Sequence, residues 1–478
     1  MAAVRRAWVS VTLCGLAGAL AGALALGCEV GETSYTRFPV PIDTSTGAVL
    51  VGAGVSADQA DDPGVAVIDT LSPLTVVDGV TLGEALRSPR RRKRTLTLYS
   101  RGDVSAAVAQ ARFTAVDTLD LHPCRGQSDP DTEPCPIGFE GQTQPLLAVI
   151  GADLLAETVG AVRFAFAADQ LTFFPDISGD NLVRGALCEA VYPQPFYGGG
   201  TLVVSGAEVA FSGRRVAIGA CLGANVNPRE VTFEDGPVTL PNPDAVSALF
   251  LIATGLPITL VSESFYERYQ RWCQSEGCAA PDPGAAETLY LPSGPITLRR
   301  ARVADLTLVS EGSDRRGPCQ EVYANAYLIR GGNCPTGGTD DCPCIGDNVF
   351  CRTGASVTLP AEFEVGVLDD ATPLLQGLRD ELRPDLPELD GLLAPPAMTP
   401  LVFDVDYPNN RAIARCAGGR SDCLTLPAVL TGDTRDNARA DCVRNLDTGP
   451  DAGVPDADLP DAGVPDAAGP DADLPDAQ

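Results

Sequence analysis

Short apolar runs broken by turn residues recur from residue 36 to about residue 425. These runs are rich in Val, Leu, Thr and Phe, and turn sequences such as AADQ at residues 167–170 and YPNN at residues 407–410 separate them. Strand-forming residues bounded by Gly, Pro, Asn and Asp are typical of β-strands joined by turns. One segment, ESFYERYQRW at residues 263–272, has helical character instead. The pattern predicts a mainly β protein with a few short helices.

An internal repeat lies within this pattern. The segments VIDTLSPLTVV (residues 67–77) and LIATGLPITLV (residues 251–261) share one frame. After each copy come a hairpin-like stretch and an apolar run containing Gly, at residues 146–175 in the first half and 389–416 in the second. Two halves with the same parts in the same order predict a duplicated β lobe. Identical pairs in the frame include Ile68 and Ile252, Thr70 and Thr254, Pro73 and Pro257, and Thr75 and Thr259.

The length of the chain agrees with two lobes. A chain of 478 residues exceeds the size at which one hydrophobic core usually stops growing. We predict an N-terminal lobe over residues 36–185 and a C-terminal lobe over residues 186–430. A signal segment at 1–27 and a linker at 28–35 precede them, and a tail at 431–478 follows.

The first residues of the chain resemble a bacterial lipoprotein signal. Arg5 and Arg6 precede a weakly hydrophobic run at residues 7–27, which ends in ALG directly before Cys28. The resemblance implies that Cys28 carries a lipid. Glu29, by resemblance to enteric lipoproteins, favours the outer membrane. An uncleaved signal anchor is the alternative, because the run is just long enough to span a bilayer.

The tail has a different composition from the lobes. From Pro450 onward it repeats five-residue units such as PDAGV and PDADL. An acidic repeat of this kind cannot bury a core, so we predict a disordered, solvated segment. Calcium binding by its aspartates is the alternative interpretation.

The charge of the chain excludes one class of partner. The formal net charge is −29 and the isoelectric point is near 4.3. Nucleic acid binding requires a basic surface, so we expect no nucleic acid partner. The remaining candidates are a peptide or an envelope protein, together with the membrane through the lipid on Cys28.

Cysteine usage agrees with export. Fourteen of the 16 cysteines remain once Cys14 in the signal segment and Cys28 are set aside, and an even number is typical of disulfides in an oxidising compartment. Zinc binding is the alternative for the cysteines from Cys319 to Cys351. However, only one residue separates Cys342 from Cys344, whereas zinc sites usually have at least two residues between such cysteines. We therefore predict no metal and no cofactor. The candidate short-loop disulfides are Cys124 with Cys135, Cys273 with Cys278, and Cys416 with Cys423.

The single histidine limits the possible catalytic mechanisms. His122 is the only histidine in the chain, and it precedes a Pro and a Cys in a predicted loop. Hydrolases with a Ser or Cys nucleophile need a histidine base beside it. The sequence therefore points away from these classes.

The two copies of the repeat resemble the active-site turns of an enzyme family. Asp69-Thr70-Leu71-Ser72 stands at the first turn and Ala253-Thr254-Gly255 at the second. The arrangement is similar to that of the two-lobed, pepsin-like aspartic proteases and of their single-lobe, retropepsin-like relatives. The resemblance implies a two-lobed β-barrel architecture in which each lobe presents an Asp-Thr-Gly turn.

Two further elements of that family have counterparts in this sequence. Val149-Ile150-Gly151 matches the strand that crosses behind the first turn, and Asp390-Gly391-Leu392-Leu393-Ala394 matches the second crossing strand, with Ala in place of the last Gly. A hairpin flap covers the cleft in the family. LTLYSRGD at residues 96–103 is the flap candidate, with Tyr99 near its tip as a possible binding residue.

Both turns depart from the family pattern in this sequence. Aspartic proteases hold two carboxylates close enough to share a proton, and both are needed for acid and base work. Here Ala253 replaces the second Asp, and Leu71 replaces the first Gly. Asp69 is therefore expected to stand alone.

We accordingly expect a monomeric pseudoenzyme on the bacterial envelope, either a peptide- or protein-binding protein or a structural surface protein. The alternative is an active aspartic endopeptidase that combines Asp69 with a displaced second acid. Asp244, Asp390 and Glu263 are the nearest candidates for that acid in the sequence.

Overall fold

The computed structural model describes most of the chain between residues 38 and 426. The predicted signal segment, linker and acidic tail lie outside the described residues. Within the described range the gaps are residues 46, 56–63, 79–89, 101–102, 119–145, 157–159, 175–190, 192, 197–198, 205–206, 213, 234–235, 293, 311–316, 330–354, 383–387, 409–410 and 419–421. None of the helices in this described part is both long and apolar enough to cross a membrane.

The first half of the chain builds a closed barrel and part of a second sheet. Its described elements are β1 (Phe38–Pro41), β2 (Leu50–Val55), β3 (Gly64–Ile68), β4 (Val76–Asp78), β5 (Arg90–Ser100), β6 (Asp103–Thr118), β7 (Leu146–Ile150), α1 (Ala152–Leu154), β8 (Ala161–Ala165) and β9 (Gln170–Phe174). The barrel has the strand order β2-β3-β7-β4-β6-β5. A short 3₁₀ turn separates β8 from β9.

The second half builds a larger sheet with the helices packed around it. Its path runs β18-β19-β22-β17-β23-β16-β13-β20-β21-β26, and β10 also pairs with β13. The elements are β10 (Gln194–Phe196), β11 (Gly199–Val204), β12 (Ala207–Ser212), β13 (Arg215–Leu222), β14 (Arg229–Phe233), β15 (Gly236–Leu240), β16 (Val246–Ile252), β17 (Thr259–Ser262), α2 (Glu263–Glu276), β18 (Ala286–Leu291), β19 (Gly294–Val303), β20 (Leu306–Val309), α3 (Pro318–Ile329), β21 (Ser356–Leu359), β22 (Phe363–Leu368), α4 (Pro373–Glu381), β23 (Gly391–Leu393), α5 (Pro395–Met398), β24 (Leu401–Asp406), β25 (Arg411–Cys416) and β26 (Leu424–Leu426).

The strand pairing is duplicated in the two halves. In the first, β7 runs parallel to β3 and antiparallel to β4, and β4 runs parallel to β6. In the second, β23 runs parallel to β16 and antiparallel to β17, and β17 runs parallel to β22. The predicted mainly β, two-lobed architecture is confirmed. The second lobe differs from the first because its strands form an extended sheet instead of a closed barrel.

Burial explains why the crossing strands are continuous apolar runs. Every residue of β7 and of β23 is buried, as expected for strands with parallel neighbours and covered faces. The backbones of neighbouring segments also come so close to these strands that glycine is required at the start of β23 and directly after β7. A Cβ on Gly151 would lie 2.5 Å from the carbonyl oxygen of Leu74, and a Cβ on Gly391 would lie 2.3 Å from that of Leu260. Any larger residue would push these strands apart.

A third sheet joins the two halves, with the order β1-β9-β8-β24-β25. Its central pairing is between β8 and β24, where Arg163 faces Asp404 across the strands. The Arg163 guanidinium donates two hydrogen bonds to Asp404, at 2.7 Å to Oδ1 and 2.8 Å to Oδ2. The Asp404 side chain is only 2% exposed. A bidentate pair with so little solvent contact is among the stronger kinds of ion pair.

Three disulfides tie described segments together. Two of the predicted pairs are present, Cys273 with Cys278 and Cys416 with Cys423. A third, Cys221 with Cys319, joins β13 to α3 across 98 residues of sequence. The predicted pair Cys124 and Cys135 lies outside the described residues. Within the described part of the chain, no group of His, Cys, Asp and Glu side chains could hold a metal ion.

We predict that Arg163→Met destabilises the protein by about 2 to 3 kcal/mol, because it leaves Asp404 buried with only Arg415, 4.0 Å away, as a cationic neighbour. Urea unfolding of the purified protein measures the change. Arg300→Met is the control: Arg300 also pairs with two carboxylates, those of Glu287 and Glu364, but its side chain is 53% exposed. The control should change stability by no more than about 0.5 kcal/mol. Equal effects of the two substitutions would contradict a stabilising role for the buried pair.

Candidate functional site

The two turns of the repeat face each other across the boundary between the lobes, where Thr70 and Thr254 exchange hydrogen bonds. The Thr70 hydroxyl donates to the carbonyl oxygen of Ile252 at 2.9 Å, and the Thr254 hydroxyl donates to that of Ile68 at 2.7 Å. The two hydroxyls in turn accept from the opposite backbone: Thr70 N–H binds Thr254 Oγ1 at 3.0 Å, and Thr254 N–H binds Thr70 Oγ1 at 3.3 Å. The contact is two-fold symmetric, like the repeat in the sequence.

Thr75 and Thr259, the second pair of equivalent threonines, also make the same contact in both lobes. Thr75 Oγ1 accepts from the N–H of Gly151, and Thr259 Oγ1 accepts from the N–H of Ala394, both at 3.1 Å. Each bond fastens a turn to the end of its crossing strand. The four threonines predicted as equivalent therefore form two equivalent sets of contacts.

Asp69 lies between the two turns. Its Oδ1 accepts a hydrogen bond from the N–H of Leu71 at 3.0 Å. On the other side it packs against Gly255 of the second turn, where an added Cβ would lie 2.7 Å from both Cβ and Cγ of Asp69. Glycine is thus required at position 255 because the Asp69 side chain fills the adjoining space.

Ala253 occupies the position equivalent to Asp69 in the second lobe. Both residues use their backbone N–H in the same way: Asp69 donates to Ile150, and Ala253 donates to Leu393, at 2.9 Å in each case. Ala253 is fully buried and belongs to an apolar cluster in the second lobe. The position equivalent to Asp69 therefore belongs to the apolar core of the second lobe.

Leu71 belongs to the same apolar cluster as Ala253. It is only 7% exposed, although it stands in the turn of the first lobe. Its branched side chain is thus packed into the second lobe. Leu71 and Ala253 lie in one cluster, which also contains Ala217, Leu249, Leu251, Leu256, Ile258 and Leu260.

A buried arginine, which the sequence analysis did not single out, lies beside this turn. Arg215 begins β13 and is 3% exposed. Its Nε–H donates to the carbonyl oxygen of Leu71 at 2.9 Å, and its Nη1 binds Glu381 at the end of α4. Burial lowers the pKa of Arg215 to about 10, and the nearby Asp69 charge opposes that shift. The charge of Arg215 therefore acts on Asp69, and the sequence repeat gave no indication of this cation.

Burial governs the ionisation of Asp69. Part of the residue reaches solvent, but the protein atoms around its carboxyl raise its pKa above the usual value. The N–H groups of Leu71 and Gly255, and the charge of Arg215, act in the opposite direction. No like charge is needed for the raised pKa, in contrast to a site where two carboxylates share a proton.

Tyr407 is a second buried polar neighbour of Asp69. It is 4% exposed, and burial raises the pKa of its phenol, with a further rise from the Asp69 charge. Among the described residues its hydroxyl has no hydrogen-bond partner. This tyrosine follows β24, so the sheet that joins the halves reaches close to the turns.

The other residues singled out from the sequence lie elsewhere. Tyr99 is 6% exposed, and its ring lies against the barrel strand β2, where a Cβ on Gly54 would be 3.0 Å from Cε2. The three candidate second acids bind other partners: Asp244 pairs with Arg229, Glu263 with Arg299, and Asp390 with Arg268. Asp390 also accepts from the N–H of Leu249 at 2.9 Å.

A cavity of about 860 Å³ opens on the second lobe, between the β18–β19 hairpin and the start of α4. Its wall combines apolar side chains with an ion pair and a few polar groups. Residues that line it include Ile296, Leu298, Leu374, Arg299, Glu263 and Thr297.

Comparison with known proteins gives only distant similarity. No family model matches the chain, and no curated protein matches it. Among solved structures, an aspartic proteinase from Irpex lacteus is 11% identical, with a TM-score of 0.33, and the match covers 80% of this chain and 98% of that one. Basic 7S globulin from soybean is 8% identical, with a TM-score of 0.34, and the match covers 80% of this chain and 94% of that one. The duplicated strand pairing around the two facing turns agrees with the aspartic-protease-like β architecture that the sequence resemblance implies.

We predict that Thr254→Val lowers the free energy of unfolding by about 2 kcal/mol or more, because it leaves the buried N–H of Thr70 and the carbonyl of Ile68 without their partner. Thr70→Val should have a similar effect by symmetry. Urea unfolding measures both, and the double variant should lose less than the sum of the two. Thr239→Val, at an exposed position of β15, is the control and should be near neutral. Additive losses would show that the two threonines do not act as one contact.

Proposed function

We propose that the chain is an envelope-anchored lipoprotein whose aspartic-protease-like cleft binds an extended peptide or protein segment without cleaving it. The observation that carries the proposal is that Ala253, fully buried in an apolar cluster, stands where the family would place a second acid, while the charge acting on Asp69 is that of a buried arginine, Arg215. Proteolysis by this fold needs one carboxylate to activate water and another to donate a proton to the carbonyl. A guanidinium cannot donate its proton at ordinary pH, since its pKa stays far above neutrality.

The positions of the other acids support the same conclusion. Asp390 lies three residues before Leu393, whose carbonyl oxygen accepts from the N–H of Ala253. Three residues of extended chain span on the order of 10 Å. Asp244 and Glu263 form ion pairs with arginines of their own lobe. The alternative of an active endopeptidase with a displaced acid therefore has no candidate beside Asp69 among the described residues.

A cavity and a sheet edge in the second lobe support a binding role. The cavity beside β19 has room for side chains of a ligand. Strand β18 stands at the end of its sheet in the described part of the fold, so its outer edge offers backbone groups to an added strand. An extended peptide could use both features at once. We propose a peptide or an envelope protein segment as the ligand, bound by a monomer.

Anchoring at Cys28 completes the proposal. A lipid there would hold the lobes close to the outer membrane, and the acidic tail would extend into solvent. The disulfides in the described lobes agree with an oxidising compartment.

The proposal predicts binding without cleavage. We expect the purified protein to retain members of a mixture of extended peptides at acid pH and to leave them intact by mass spectrometry. Leu374→Glu, in the cavity wall, should reduce retention about tenfold or more, because it places a charge against an apolar ligand. Leu424→Glu, at a leucine that is already 56% exposed, should not.

Two results would contradict the proposed function. Pepstatin-sensitive cleavage that disappears in Asp69→Asn would show an active aspartic endopeptidase. Equal retention by the Leu374→Glu and Leu424→Glu proteins would show that the cavity does not bind the peptides.

The anchor gives a separate prediction. Cys28→Ser should move the protein from the membrane fraction to the soluble fraction of cells, because the lipid is the proposed attachment. Cys14→Ser, within the signal segment, should leave the distribution unchanged. Membrane retention of the Cys28→Ser protein would instead support an uncleaved signal anchor.

A further inference from the structure

Helix α4 stands between the cavity of the second lobe and the turn of the first. The residues at its N-terminal end, including Pro373 and Leu374, line the cavity. Its buried side chains, Leu375 and Leu378, belong to the apolar cluster that also contains Leu71. One helix therefore meets the candidate binding surface at its start and, along its buried face, the cluster that receives the first turn.

Arg215 joins the other end of α4 to that turn. Its Nε–H donates to the carbonyl oxygen of Leu71 at 2.9 Å, and its Nη1 donates to Oε2 of Glu381, the last residue of α4. The two bonds use different nitrogens of one rigid, planar guanidinium. Because Leu71 belongs to the first lobe and Glu381 to the second, a single side chain fixes the first turn relative to the end of the helix.

The burial of Arg215 makes this contact hard to replace. Arg215 is 3% exposed, and a buried cation is strongly unfavourable unless it is paired and hydrogen-bonded. Glu381 supplies the opposite charge, and the carbonyl of Leu71 supplies a further acceptor. Movement of α4 away from the turn would therefore break a charge-assisted hydrogen bond where little water is present to replace it.

We propose that Arg215 is a positioning residue for the cavity: by bonding to Leu71 and Glu381 at once, it holds α4, and with it one wall of the cavity, against the first turn. The inference rests on the proposed function, because the cavity is the surface assigned to the peptide. Arg215 itself does not line the cavity, so its effect on a ligand passes through α4.

A wall that is already held in place favours binding. When a helix is mobile in the free protein, its ordering costs part of the binding free energy. The contacts of Arg215 remove that cost before a ligand arrives. The affinity of the cavity for an extended peptide should thus depend on a residue that does not touch the peptide.

Hydrogen–deuterium exchange of the folded, ligand-free protein tests the first step. In Glu381→Gln the guanidinium loses its charged partner, so the amides of α4 should exchange about tenfold faster. The amides of α2 (Glu263–Glu276), in the same lobe, should exchange at an unchanged rate. A general loss of stability would accelerate both helices, which separates positioning from a merely structural role.

Arg215→Met should accelerate α4 in the same way, and Glu381→Gln should add nothing to it, because the two residues form one contact. The Glu381 side chain is 26% exposed, so Glu381→Gln should fold even where Arg215→Met does not. Asp380→Asn is the matched control, since it removes an exposed carboxylate from the same end of α4 and has the same effect on the helix dipole. It should leave the exchange of α4 unchanged.

Peptide retention at about pH 7, where Glu381 is ionised, tests the second step. The probe is the mixture of extended peptides used for the cavity variants. Glu381→Gln and Arg215→Met should each retain about fivefold less of it than the wild-type protein. Asp380→Asn should retain as much as the wild-type protein.

Three results would overturn the role of Arg215. These are unchanged exchange of α4 in Glu381→Gln, equal acceleration of α4 and α2, and full peptide retention by a variant in which the exchange of α4 has risen. Failure of the proposed function gives a different result, because the wild-type protein itself would then retain no peptide or would cleave it. The exchange of α4 would still show in that case whether Arg215 holds the helix.

Discussion

The reciprocal hydrogen bonds between Thr70 and Thr254 are the contact on which the rest of the structure depends. They place the two turns back to back, and this brings the side chain of Asp69 against Gly255. They satisfy two buried N–H groups and two buried carbonyls where the lobes meet, groups that would otherwise oppose burial of that surface. The crossing strands, the apolar cluster around Ala253 and the contact from Arg215 are all arranged around this contact.

Hydrocarbon and a buried cation meet at the first turn. Leu71 supplies hydrocarbon to the cluster that contains Ala253, and Arg215 donates a hydrogen bond to the carbonyl oxygen of the same leucine. Asp69 accepts a hydrogen bond from the N–H of that leucine. An interior tolerates a buried charge when it is hydrogen-bonded and paired, as Arg215 is with Glu381.

The sequence predicted the parts of the fold that repeat. The two turns, the two crossing strands and the equivalence of Thr75 with Thr259 could be found because they share a frame and short local patterns. The disulfides between Cys273 and Cys278 and between Cys416 and Cys423 could be predicted because each closes a short loop.

The features that the sequence did not reveal depend on distant contacts. Arg215 binds residues 144 and 166 positions away, and no local pattern connects them. A lone arginine in the otherwise apolar strand RVAIGACL was the one signal that could have drawn attention to it.

The sheet that joins the lobes has a consequence for the order of folding during synthesis. Strand β8 belongs to the first half, but its partner β24 begins at Leu401, and the bidentate partner of Arg163 is Asp404. A chain synthesised from its N-terminus delivers β8 long before β24. The barrel can close early, whereas β8 keeps one unpaired edge and Arg163 lacks its carboxylate until almost all of both lobes has been synthesised. That exposed edge is a site where a chaperone would have most to protect.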